Sequence, residues 1–323
     1  MALSPFGSAV RHKALDAYLA SCGDIGTEDA WEHIYRLLLS IEPRTGLAHI
    51  YDANHMQPTG GFYTRAQTFT ALLADHWNIL PEELGQEVDH MFRFCVDRFR
   101  REGGAAALSD RFADRVRSIV SRRLGPPPEM LELLVADLTT ATEDFFVMGR
   151  KRQNVRGEGF EDVLLWLLAN VGNLPASRLR ARAKANALPG FRPRPSIEKV
   201  PKPDIAVLSP TGSFTSAILT VKWSLRQDRL DQFGQEWSYY RGNRQQDQEV
   251  EFHLITNEFD TARLNGVLNP PAGAGGFHFR SVYHVNVDFV AAVQDYRFGP
   301  LQHYVQAGRL KSIRDLLMEA RNF

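Results

Sequence analysis

The chain has 323 residues and 36.5 kDa, and its 38 lysines plus arginines balance 38 aspartates plus glutamates, so the formal net charge is zero. That balance excludes a protein that coats nucleic acid by bulk charge, while 44% hydrophobic and 24% charged residues exclude a disordered or fibrous chain. Two cysteines, Cys22 and Cys95, exclude a disulfide framework, stand in no zinc spacing and point to a reducing cytoplasm. No apolar run approaches the roughly 18 residues of a membrane span, and the start "MALSPFGSAVRHKALDAYL" lacks the pattern of an export signal, so no membrane association is expected.

Taken in chain order, apolar residues at three and four spacing predict helices over 28–42, 64–77, 82–102 and 128–146, separated by turn signals such as "QPTGG" and "LGPPP". A further helix is expected in "GEGFEDVLLWLLANVG", with Phe160, Val163, Leu164, Leu167 and Leu168 inward and Gly172 near its end. Between Arg150 and Lys202 twelve basic residues face only Glu158, Glu161, Asp162 and Glu198, so this stretch could carry a local positive field or a solvated face. The proline-broken connector "LPGFRPRPSIEKVPKP" follows.

The pattern then changes to strands: "DIAVLSP", "FTSAILTVKW", "EVEFHLITN" and "FRSVYHVNVDFV", with a helix "RLDQFGQEWSYYRG" after the second and a closing helix from about Gly308 to Arg321. The glycine-dense "PPAGAGGF" lacks a strand-loop-helix setting and reads as a loop rather than a phosphate cradle. Ten histidines occur in no zinc-binding pair, and Trp31 and Trp77 fit core packing better than base stacking. The fold class is therefore α/β: a mixed central sheet flanked by helices, preceded by an N-terminal helical subdomain, with the boundary placed at 1–145 and 146–323.

Chemistry concentrates where the second strand ends. Side chains alternate faces along a strand, so Thr220 and Lys222 share one face while Val221 and Trp223 share the other. Asp204 opens the preceding strand directly after Pro203, and the short turn at 209–213 suits a hairpin that sets carboxylate beside ammonium. On the next helix Leu230, Phe233, Trp237 and Tyr240 form the apolar stripe, and Glu236 borders it. Two acids and a lysine at one sheet edge suit a hard divalent cation, which takes carboxylate oxygens, water and phosphate.

Pro203–Asp204 followed by "TVK" at Thr220–Lys222 resembles the PD-(D/E)XK nuclease signature. Lys222, then Arg226, Asp228 and Arg229, then Glu236, is similar to the arrangement in type II restriction endonucleases that recognise CCGG, CCNGG or CCWGG sites. In that group the acid of the signature moves onto the following helix, which accounts for Thr220 standing where an acid would. "RGEGFE" at 156–161 resembles the segment that supplies a further glutamate, which singles out Glu161. The similarity covers about residues 150–260.

The resemblance implies a restriction-endonuclease-like core and Mg²⁺ held by Asp204 and the backbone carbonyl of Val221, with Glu236 and Glu161 in its water shell. Lys222 would lie against the scissile phosphate. Arg226 and Arg229 would donate to guanine O6 and N7, and Asp228 would accept from a cytosine amino group; a phosphate-binding run would gain nothing from that acid. It further implies double-stranded DNA as substrate, a palindromic site with a CCGG or CCNGG core, a homodimer that could pair into a tetramer, the helical subdomain serving dimerisation or embracing DNA, a cognate DNA methyltransferase, and a bacterial cytoplasmic setting. The rival expectations are a structure-specific or repair nuclease of the same superfamily, and a DNA-binding module without catalysis.

Overall fold

The computed structural model describes residues 8–41, 60–80, 82–84, 157–192, 200–225, 227–245, 249–269 and 279–323. Within them, α1 (Ser8–Cys22), α2 (Ala30–Ile41) and α3 (Gly60–Trp77) precede α4, which covers 157–170. Then come β1 (Leu179–Ala181), β2 (Ile205–Leu208), β3 (Thr215–Lys222), α5 (Gln227–Asn243), β4 (Glu251–Thr256), α6 (Thr261–Leu268), β5 (Ser281–His284), α7 (Val287–Gln294), α8 (Gln302–Gln306), β6 (Leu310–Ser312) and α9 (Ile313–Glu319). Most of 82–102, all of 128–146, the loop at 270–277 and the boundary near 145 lie outside the described residues.

The six strands form one sheet in the order β1-β2-β3-β4-β5-β6. The first three pair antiparallel, and β3 to β6 run parallel, so the sheet is mixed as the alternation of strands and helices implies. β2 and β3 are a hairpin whose register shifts by a residue between Val207 and Leu208. Gly212 turns it at φ +70°, a conformation that a side chain disfavours. β2 and β5 are buried along their whole length, and β3 nearly so, the near-continuous apolar pattern of strands covered on both faces.

The helices close over the sheet through large side chains. Phe160, Val163, Leu164, Leu167 and Leu168 of α4 are fully buried, and α4 ends where a Cβ on Gly172 would stand 2.9 Å from the carbonyl of Leu168 and 3.2 Å from that of Leu317. α2 and α3 belong to the same hydrophobic cluster as the sheet. Tyr35 packs edge-on to Phe69 and Trp223, and its hydroxyl donates to Asn257 Oδ1 at 2.7 Å. Trp31 lies against Tyr35, His76 and Phe289, as a core residue would. Among the described residues no helix is long and apolar enough to cross a membrane.

Two expectations fail locally. The strand expected through 279–290 stops at His284, because Asn286 caps α7 by accepting from the backbone of Phe289 at 2.9 Å. The closing helix begins at Ile313 rather than near Gly308: residues 310–312 pair with β5, and Ser312 with Asp315 forms a capping box.

Candidate active site

The hairpin register sets the first two groups. Ile205 pairs with Leu219, so Asp204 stands level with Thr220, and Lys222 follows two residues on, on the same face as Thr220. The Lys222 ammonium donates to Asp204 Oδ2 at 2.6 Å, and the Val221 backbone N–H donates to the same oxygen at 2.7 Å. Both side chains remain partly open to solvent, 25% for Lys222 and 17% for Asp204. An ion pair at such a boundary stays reachable by a ligand, unlike one sealed in a core.

Glu161 arrives from α4. Phe160 beside it is buried against Trp223, with ring centroids 5.0 Å apart, and this contact pins the first turn of α4 to the end of β3. Burial, and next the negative charge of Asp204, push the Glu161 carboxyl up to about 7, against the pull of Arg182 and Lys222. Glu161 and Asp204 thus share one electrostatic neighbourhood.

Arg182 is the member with no forerunner in the sequence reading. It follows β1 with φ +49°, an uncommon conformation for a residue with a side chain. Its backbone N–H donates to the Asp204 carbonyl at 3.0 Å. Its guanidinium donates through Nε to Glu161 at 2.5 Å, and through Nη2 to Asp162 and the Glu158 carbonyl, both at 3.0 Å. Burial alone would lower its pKa, but the charges of Glu161 and Asp162 outweigh that and raise it.

Glu236 is half-buried on α5 and accepts from Gln232 one turn back at 2.7 Å. It faces the side of the site: burial, then Glu236 and then Asp204 raise the phenol of buried Tyr240 far above its ordinary value. The structure therefore brings together Asp204, Lys222, Val221 and Glu161, and Tyr240 feels the charges of both Glu236 and Asp204. Among the described residues no three His, Cys, Asp or Glu side chains gather closely enough to ligate one ion by themselves. Arg226 lies outside the described residues; Asp228 and Arg229 occupy the first turn of α5, and their side chains lie outside as well.

The loop that leads from Lys222 to that turn is held from behind by a buried pair. Glu258 accepts from the Leu225 N–H at 2.7 Å and the Asp260 N–H at 2.8 Å, and Arg263 Nη1 donates to the Leu225 carbonyl at 2.9 Å and to Glu258 at 3.2 Å. Asn257 N–H donates to the Trp223 carbonyl at 3.1 Å. The Glu258 carboxyl is pushed up to about 7 by burial, although Arg263 pulls the other way. Sequence patterning gave no signal for Glu258, because a carboxylate just past a strand reads as solvated.

The donor set suits a hard cation. Two carboxylates press on each other's charge, a backbone carbonyl stands at Val221, and no thiol or imidazole competes among these groups; Mg²⁺ takes one or two carboxylates and completes its shell with water and phosphate. Neither a protein-family model nor a curated protein matches this sequence.

Proposed function

We propose that the chain is a Mg²⁺-dependent type II restriction endonuclease with a PD-(D/E)XK core, hydrolysing double-stranded DNA as a homodimer at a palindromic site with a CCGG or CCNGG centre. The observation that carries this reading is the 2.6 Å contact of Lys222 with Asp204, residues 18 apart in sequence, beside a Glu161 whose carboxyl feels both. Charge balance supports it too. Glu161, Asp162 and Asp204, when ionised, outnumber Arg182 and Lys222, and His12 at 3.5 Å from Asp162 adds positive charge only when protonated, so the cluster favours an added cation while that imidazole is neutral.

Each residue then has a defined task. Asp204 would hold the cation together with the Val221 carbonyl, and Glu161 and Glu236 would reach it through water. Mg²⁺, when bound, supplies the Lewis acidity that polarises both water and phosphoryl oxygen. Lys222 offsets the charge that develops on the scissile phosphate. Arg226 and Arg229 read guanine, Asp228 reads cytosine, and a partner methyltransferase protects the same sequence in the host.

A sequenced plasmid digested with Mg²⁺ and read by run-off sequencing tests this directly, the expected result being one repeated G·C-rich palindrome at every end. Lys222→Ala is expected to lose cleavage by about 10²–10³-fold while still binding its site in Ca²⁺. Arg226→Ala is expected to weaken that binding itself by about 1–3 kcal/mol. Undiminished cleavage by Lys222→Ala would sink the assignment, and cleavage of branched or damaged DNA alone would move it to a repair nuclease.

A further inference from the structure

Arg182 is more elaborately held than charge neutralisation requires. A side chain at φ +49° costs roughly 1–3 kcal/mol, and such strain persists only where surrounding contacts over-determine it. Here the backbone N–H is fixed on Asp204, and Nε and Nη2 are fixed on Glu161, Asp162 and Glu158. The remaining nitrogen, Nη1, donates to no described residue, and the side chain is 35% exposed. So the guanidinium is immobilised on one edge and open on the other.

Its position is equally specific. Ala181 pairs with Ile205 and Ile205 with Leu219, so Arg182, Asp204 and Thr220 stand level across three neighbouring strands, with Lys222 two residues beyond. The two cations therefore flank Asp204 from opposite sides along one edge of the sheet. Neighbouring strands lie about 4.8 Å apart, so the backbones that carry the two cations stand roughly 10 Å apart with Asp204 between them, both near a ligand laid along this end of the sheet.

From this we infer that Arg182 is a phosphate-binding residue: Nη1 donates to a backbone phosphate oxygen of the bound strand, near the phosphate served by Lys222. The inference rests on the nuclease reading above and adds a contact to it. An arginine already anchored by its other nitrogens binds phosphate with little loss of side-chain freedom, and its fork geometry suits the ligand. Because the contact is to backbone, it adds affinity without sequence preference.

The test measures duplex binding to the full chain in Ca²⁺ across a salt series, for Arg182→Gln and for Arg182→Gln combined with Asp162→Asn, which restores the local charge balance should the single variant unfold. The expected result is a slope of log K against log salt shallower by about one, binding roughly tenfold weaker on every sequence, and an unchanged ratio between specific and random duplexes. A wild-type slope in the folded double variant overturns the phosphate contact, even if the wild-type protein cuts DNA. A wild-type protein that binds DNA with the expected slope change but never cuts it retains the contact and sinks the nuclease. No DNA binding by the wild type overturns both.

Discussion

At the scale of single residues, the buried ionisable groups behind the site work against each other with pH. Glu258 is raised to about 7, so its unfolded form loses a proton first and stability falls as pH climbs from about 4.5 to 7. His284 is lowered to about 4 by burial, its Nε2–H donated to the Glu258 carbonyl and its Nδ1 accepting from Asn286. There the unfolded form takes up a proton first, so stability is full above about 6.5 and is lost as pH falls toward 4. Between pH 4.5 and 6.5 the two slopes, each about 1.4 kcal/mol per unit, oppose and nearly cancel. Glu258→Gln removes one of them. Its urea stability should drop by roughly 2–3 kcal/mol more than that of the wild type on acidification from pH 6.5 to 4.5; parallel profiles would show that Glu258 does not titrate there.

Legibility at this scale follows the range of the interaction. Asp204 and Lys222 could be paired from sequence because strand alternation and a short turn are local rules. Arg182 could not: "RLRARAK" reads as a solvated basic stretch, and nothing in it encodes the left-handed backbone that turns one of its arginines onto α4. Helical angles put Glu236 at the edge of the core, where it is, but its Gln232 partner and its distance from Asp204 depend on how α5 docks.

At the scale of elements, the strands and helices with a clear apolar pattern were readable, whereas α1 (Ser8–Cys22), which was not among the expected helices, and the shortest strands were not. β3 and β4 announce themselves by apolar runs of strand length, whereas β1 and β6 have three residues each and exist because a neighbour offers a free edge. α7 was hidden inside an apparent strand because "VNVDFV" has strand-like residues, and one side chain, Asn286, overrules them. That gives a direct expectation. Asn286→Ala should cost about 1 kcal/mol and lower the melting temperature by a few degrees, measured by circular dichroism. No change would mean that packing alone starts α7.

At the scale of the whole molecule, the helices before the sheet are part of what keeps the site in place. Tyr35 holds Asn257, Asn257 holds the Trp223 carbonyl, and Trp223 directly follows Lys222. Tyr35→Phe leaves Asn257 Oδ1 without its donor and should cost about 1–3 kcal/mol. If the molecule unfolds as one unit, tryptophan fluorescence and far-ultraviolet dichroism should shift together in that variant. Two separated transitions would show that α2 stands apart from the sheet.

The β2–β3 hairpin has one more consequence. It makes the Asp204–Lys222 contact across a short stretch of chain, the sort of local pairing that closes early, whereas Glu161 must come from a helix docked across the sheet. A half-folded chain can therefore own the salt link and still lack the Glu161 carboxylate that the proposed chemistry uses, which joins the site only once α4 is docked.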